Sequence, residues 1–326
     1  MVEPGIVVRM TTTPDQRGHA RDSRLIRVTV TCLFIALAAL ALRWVATPLP
    51  PRLDYTVGFA PWWVMLTATV LGGTAVTIIS VIRSPLGKHV SIIGGTAAVL
   101  FLWSASGVVL DGFRAFFAIT GIPAGDFSTV DWPGMVCRTA SLLACGAIGY
   151  TTLRARRSRA KICAVCKTAT PPLVTGHRWH GIAAAALGIP YPALKLYWWC
   201  GGVVARPESS TEGFPTMELL AGAAGLLVSL ALVHPWGRVL PRWALLSAAG
   251  VATTMLISMG SLSVLGTLSQ LLGITDGPVP LTDDSMWMVA AVYGTWLLFG
   301  LALLGAIAYY VEKRRPRCAA DASCPV

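Results

Sequence analysis

The chain carries little charge. Only 13% of its 326 residues are charged, about half the share of an average soluble domain, whereas 55% are hydrophobic. The charged residues stand in short intervals between long apolar runs, and no polar interval is long enough to fold by itself. This excludes a nucleic-acid-binding domain despite the net charge of +11, because such a domain needs a folded basic face. The composition predicts an all-α, polytopic integral membrane protein whose main partner is the lipid bilayer.

Several catalytic signatures are absent as well. The sequence contains no Walker motif, no His-Glu-x-x-His and no Gly-x-Ser-x-Gly, and the first absence excludes a self-contained ATP-driven pump. Of the five histidines only His89 belongs to a long apolar run, as its first residue, so none is placed to hold a haem in mid-membrane. These absences favour a protein that is not an enzyme, although they leave other membrane chemistry open.

Eight segments are apolar over the ~20 residues that a membrane-spanning helix needs. They are 25–46, 62–82, 89–110, 134–153, 181–200, 217–233, 243–268 and 286–311. The first has a cleaved signal peptide as its alternative reading. We therefore predict a cytoplasmic tail (1–24), a four-helix unit (25–153), a basic cytoplasmic loop (154–180), a second four-helix unit (181–311) and a second cytoplasmic tail (312–326).

The distribution of charge predicts the orientation. Most of the 26 Lys and Arg residues lie in intervals that share a side with the N-terminus, and most of the 15 Asp and Glu residues lie on the other side. Because basic loops stay in the cytoplasm, we expect both termini to be cytoplasmic in a multi-pass protein of the cell's inner membrane.

The two halves resemble each other in short stretches. Residues 40–44 (LALRW) match 194–198 (LKLYW), and residues 146–150 (GAIGY) match 305–309 (GAIAY). Four spans per unit is an even number, so such a tandem 4+4 repeat has both units in the same orientation, related by an axis along the membrane normal. Coincidence within low-complexity apolar sequence is the alternative.

Three cations lie inside predicted spans near their outer ends: Arg43, Arg138 and Lys195. Each is expected about 6–10 Å inside the outer boundary, given 1.5 Å of rise per residue. Snorkelling to the headgroups, or pairing with Asp111 or Glu218, would explain them without a ligand.

The prolines at 190 and 192 suggest a function for Lys195. Proline lacks an amide donor and should break the helix just before Lys195, and broken helices in membranes often border binding sites. The sequence thus predicts an outward-facing site of Lys195, Tyr191, Arg43 and Arg138 that binds or transports a small anionic or amphiphilic molecule.

Two other functions remain open at this point. One is a membrane enzyme for a lipid or hydrophobic substrate, with Lys195 as acid, base or electrostatic stabiliser. The other is a scaffold or sensor whose basic, cysteine-bearing loop contacts cytoplasmic partners.

The basic loop contains a candidate zinc site. Cys163 and Cys166 precede His177 and His180, and thiolate and imidazole are ligands that suit tetrahedral zinc. The histidines are closer together than usual for such a site, so thiol redox chemistry and an inert loop are the alternatives. Cys137 and Cys200, at the outer ends of consecutive spans, are expected to be buried free thiols rather than a disulfide.

Overall fold

A computed structural model describes residues 14–46, 49, 53–56, 59–81, 87–157, 176–204, 206, 213–275 and 286–314. These residues form ten α-helices and no strand, which confirms the all-α prediction for the described part of the chain. The helices are α1 (Pro14–Val45), α2 (Trp62–Val81), α3 (Gly87–Ser104), α4 (Val108–Thr120), α5 (Trp132–Arg157), α6 (Arg178–Leu187), α7 (Pro190–Trp199), α8 (Thr216–Val233), α9 (Arg242–Leu271) and α10 (Met286–Lys313).

Within the described part of the chain, six apolar elements are long enough to cross a membrane, which confirms a multi-pass helical membrane protein. They are Ser23–Val45, Trp62–Val81, His89–Thr120, Thr216–Val233, Arg242–Leu271 and Val292–Lys313. The predicted spans 134–153 and 181–200 are not among them. Helix α5 carries Arg138 in its apolar part, and α6 and α7 are ten residues each. Eight crossings and a tandem repeat are therefore not confirmed and stay predictions.

The third apolar element is interrupted where hydropathy gives no sign of it. Helix α3 ends at Ser104, and α4 starts at Val108 after a turn whose last residue, Gly107, has φ 86°. A Cβ on Gly107 would lie 2.3 Å from the Phe59 ring, so both the conformation and the space require glycine. Helix α4 then runs to Thr120, ten residues past the predicted end at 110.

The fifth apolar segment is broken where the prolines predict. Helix α6 ends at Leu187, and Pro190 is the first residue of α7. Proline is favoured at a helix start because its missing N–H has no partner there in any case. Both short helices pack against α8 and α10, so the break lies within the second half of the molecule.

Each half of the chain has its own apolar core. Residues from α1, α2, α3 and α5 form the first, around Leu33, Met65 and Phe101. Residues from α6, α8, α9 and α10 form the second, around Leu232 and Leu303. Helices α3 and α4 contact α9 and join the halves. The helix breaks do not match between the halves. Of the eight predicted segments, the third is interrupted but its counterpart, the seventh (α9), is continuous. The fifth is interrupted but its counterpart, the first (α1), is continuous.

Helices α9 and α10 approach each other closely at glycines. A Cβ added to Gly260 would lie 2.2 Å from the backbone nitrogen of Leu297, and one added to Gly300 would lie 2.6 Å from Ile257. In lipid, apolar side chains gain little by leaving the acyl chains, so close backbone packing at small residues drives helix association. This contact fixes α10 within the second core.

We expect Gly260→Ala to destabilise the protein by about 1–3 kcal/mol, because the new methyl group meets backbone that cannot move aside without separating the helices. Gly250→Ala, in the same helix with no atom near the new methyl group, is the matched control and should be neutral or up to ~1 kcal/mol stabilising. Thermal unfolding of the full chain in detergent measures both. Equal melting temperatures for the two variants would contradict the proposed contact.

Candidate functional site

The first charged cluster is centred on an ion pair between Asp111 of α4 and Arg138 of α5. Asp111 is fully buried and Arg138 is 2% exposed. Both Nε and Nη2 of the guanidinium donate to the carboxylate, with Nη2 at 2.8 Å from Oδ1. This bidentate geometry is the strongest form of the interaction. The remaining nitrogen, Nη1, is buried with no hydrogen-bond partner among the described residues.

A second carboxylate, from Asp131, also contacts Arg138. Its Oδ2 lies 3.2 Å from Arg138 Nη2. Its Oδ1 accepts the amide hydrogen of Gly134 at 3.0 Å, so Asp131 also caps the start of α5. Because Asp131 precedes Arg138 by about two helical turns, one residue both begins the helix and pairs with its cation.

Tyr55, from the loop between α1 and α2, ties that loop to the ion pair. Its hydroxyl donates to Asp111 Oδ1 at 2.6 Å and accepts the Asp131 amide hydrogen at 3.1 Å. Burial, and then the hydrogen bond to the Asp111 carboxylate, raise the pKa of Tyr55 to about 12. The phenol therefore stays protonated, and keeps donating, at any physiological pH.

Arg114 secures the neighbouring loop between α4 and α5. Its guanidinium lies 3.8 Å from the centre of the Tyr55 ring, and Nη1 donates to the carbonyl oxygens of Asp126 (3.0 Å) and Thr129 (3.1 Å). Two loops and two helix ends therefore meet around Asp111. Because Arg138 is buried and already paired, its guanidinium is not open to a ligand.

The second charged cluster lies between α7 and α8 and is more open. Lys195 Nζ is 4.0 Å from Glu218 Oε1, at the limit of an ion pair, and the two side chains are 24% and 30% exposed. The ammonium also lies 5.0 Å from the Trp198 ring and 5.7 Å from the Tyr191 ring, within cation–π range. Lys195 thus has weak partners and remains accessible.

Aromatic rings from α10 extend this second cluster. Tyr191 meets Trp296 edge-on at 4.9 Å between ring centres and Tyr293 at 5.8 Å, and the latter two rings are 4.6 Å apart. Pro192 packs so closely on α8 that a Cβ on Gly222 would lie 2.5 Å from its ring. We call Lys195, Glu218, Tyr191, Tyr293 and Trp296 the Lys195 cluster.

The four residues predicted to bind a ligand divide between different places. Lys195 and Tyr191 lie together, Arg138 belongs to the Asp111 network, and Arg43 is exposed in the last turn of α1. Pairing with Asp111 and Glu218, the alternative raised for these cations, is what the structure shows for Arg138 and, more loosely, for Lys195. No sequence pattern indicates Tyr55, Arg114 or Tyr293, because their contacts depend on loop conformation or on distant helices.

Only half of the candidate zinc site can be located, because Cys163 and Cys166 lie outside the described residues. His177 and His180 stand at the start of α6, where His180 Nδ1 accepts the His177 amide hydrogen at 3.0 Å. The His180 ring also stacks on Trp179. Among the residues that the structure describes, no three His, Cys, Asp or Glu side chains are grouped to hold a metal. Zinc binding stays a prediction.

Cys137 and Cys200 are both free. The Cys137 thiol is buried and donates to the Ala39 carbonyl oxygen at 3.0 Å, as expected for a free thiol in a helix interface. Cys200 is exposed, so the expectation of burial is wrong for this residue. It follows Trp199 at the end of α7, beyond the last helical turn.

Comparison with known proteins gives no relative: no family model, no curated protein and no solved structure matches this chain.

We expect Arg138→Met to destabilise the protein by about 3–5 kcal/mol, because it leaves the buried Asp111 carboxylate without its main counter-charge. Adding Asp111→Asn to that variant should restore part of the stability. The matched control is Arg43→Met, which removes an exposed cation and should change little. Unfolding in detergent measures the stability of all three variants. An Arg138→Met variant as stable as the control would show that the Asp111–Arg138 ion pair does not stabilise the protein.

Proposed function

We propose that the chain crosses the membrane eight times, as two four-helix units with both termini in the cytoplasm. Helix α5 is 26 residues long, and its one mid-helix cation, Arg138, is neutralised by Asp111. Helices α6 and α7 are separated by two residues and share α8 and α10 as neighbours, so together they are long enough for one crossing. The distribution of basic residues supports the orientation.

The second part of the proposal is that the Lys195 cluster binds a small anionic or amphiphilic molecule from the outer side. The observation that carries it is the contrast between the two cations. Arg138 is buried in a bidentate pair, whereas Lys195 is a quarter exposed and reaches its carboxylate only at 4.0 Å. A cation within an apolar helix is costly, so one that is left loosely paired is a candidate for ligand binding.

The surroundings of Lys195 favour a ligand with an apolar part. The rings of Tyr191, Tyr293 and Trp296 form a continuous edge-to-face group beside the ammonium. An anionic head would pair with Lys195 while an apolar body packs on the rings. Glu218 would hold the ammonium when no ligand is bound and would be displaced by the incoming anion.

We favour transport of the ligand over binding alone, because the site follows a broken helix. The interruption at Gly188 and Ile189 separates α6 from α7 just before Lys195, and broken helices border the substrate sites of many transporters. Such a break allows α7 to move relative to α6. An alternating motion of α7 would expose Lys195 to each side in turn.

We expect Lys195→Ala to weaken binding of octanoate, an amphiphilic carboxylate, by about 10- to 150-fold, because a hydrogen bond to a charged group contributes about 1.5–3 kcal/mol. Lys195→Arg should keep part of the affinity. Arg43→Ala, an exposed cation at the end of α1, should bind like the parent protein. The dissociation constants are measured by thermal-shift titration of the purified full chain. Octylammonium, which has the same apolar chain and the opposite charge, is the control ligand.

Equal octanoate affinity in Lys195→Ala and the parent protein would contradict the site. A parent protein that octanoate does not stabilise more than octylammonium would contradict its preference for anions. Normal expression and unchanged melting of the unliganded variant show that the loss is one of binding.

A further inference from the structure

A groove of about 410 Å³ lies along the N-terminal part of α1, far in sequence from the Lys195 cluster. Its described lining residues are Arg24, Arg27, Val28, Thr31 and Cys32. Their spacing of three and four residues places them on one face of the helix. Ile35, one turn further and 47% exposed, continues the same face into the apolar part of α1.

The position of the groove along α1 sets what can reach it. The apolar span runs from Ser23 to Val45, so both arginines lie in its first two turns. At that depth a side chain meets lipid headgroups, while residues one or two turns further along meet acyl chains. Arg24 and Arg27 are exposed and Val28 is 51% exposed, so the groove is open at both levels.

The two arginines supply the charge that an acidic headgroup needs. They are three residues apart and therefore neighbours on the helix surface. Arg27 is held to its own helix through Nε, which donates to the Ser23 carbonyl oxygen at 3.4 Å. Guanidinium groups bind phosphate oxygens in a fork, and anionic lipids concentrate in the cytoplasmic leaflet, where this end of α1 is expected.

We propose that this groove is a binding site for an anionic phospholipid. The phosphodiester lies between Arg24 and Arg27, and the upper part of one acyl chain lies along Val28, Thr31 and Cys32. Charge complementarity at one end and an apolar wall at the other select a phospholipid over a free anion, which would use the arginines alone. The site is independent of the function proposed for the Lys195 cluster.

The test compares palmitoyl-oleoyl phosphatidylglycerol with the phosphatidylcholine of the same acyl chains, titrated into the full chain in detergent and followed by thermal unfolding. The parent protein should be stabilised more by phosphatidylglycerol. The double variant Arg24→Ala/Arg27→Ala should bind that lipid about 25-fold more weakly, because each basic residue contributes ~1 kcal/mol and 1.4 kcal/mol corresponds to tenfold.

Three comparisons make the result specific. Arg238→Ala/Arg242→Ala removes two exposed cations outside the groove and should leave the lipid preference unchanged. Thr31→Trp fills the groove without removing charge and should weaken binding of phosphatidylglycerol. Inorganic phosphate at the same concentration should not reproduce the stabilisation.

Equal stabilisation of the parent protein by the two lipids would overturn the proposal. So would an equal loss in the two double variants, since that would reflect general charge. Stabilisation by inorganic phosphate equal to that by phosphatidylglycerol would show a free-anion site, and unchanged lipid binding in Thr31→Trp would remove the acyl chain from the groove. The last variant keeps both arginines, so it remains informative if the arginine variant fails to fold.

Discussion

The ion pair between Asp111 and Arg138 governs the first half of the molecule. A buried charge surrounded by apolar helices is tolerated only with a close counter-charge and further hydrogen bonds. The two helices that carry the pair must therefore meet in one register. Tyr55 and Asp131 add their hydrogen bonds to the same carboxylate and guanidinium, so the loops on either side take their positions from this pair. The Gly107 turn, which redirects the chain between α3 and α4, precedes Asp111 by one helical turn.

In the second half, the cation Lys195 has a different environment. Lys195 follows a helix break, stands among aromatic rings and has only a distant carboxylate. A compact, flexible ammonium can change partners more easily than a planar guanidinium in a bidentate pair. In the described residues the two halves thus share an all-helical architecture and an apolar core of similar composition, yet Arg138 is buried in its ion pair whereas Lys195 is partly exposed. This difference is the physical basis for placing binding in the second half and a structural role in the first.

Hydropathy and proline placement predict much of this fold. Helices α2 and α8 begin and end within one residue of their predicted limits, and the break before Lys195 falls at the prolines. The break at Gly107 was not predicted, because a glycine turn within an apolar run leaves the hydropathy unchanged. The extension of α4 to Thr120 was not predicted, because Asp111 and Arg114 interrupt the apolar run. For the site, a charged residue within a span identifies Arg138 and Lys195 and suggests their acidic partners. Tyr293 and Trp296 join Lys195 only through the packing of α10 against α7, which no local pattern contains.

The proposed orientation places the basic segments in the cytoplasm and opens the Lys195 cluster to the outside. Labelling of single-cysteine variants with a membrane-impermeant maleimide tests it most directly, because Cys200 is exposed just beyond α7 and Cys166 lies in the basic loop. In right-side-out membrane vesicles we predict labelling of a variant that retains only Cys200. A variant that retains only Cys166 should react only after the membrane is permeabilised. Labelling of Cys166 in sealed vesicles, with Cys200 protected, would contradict the account.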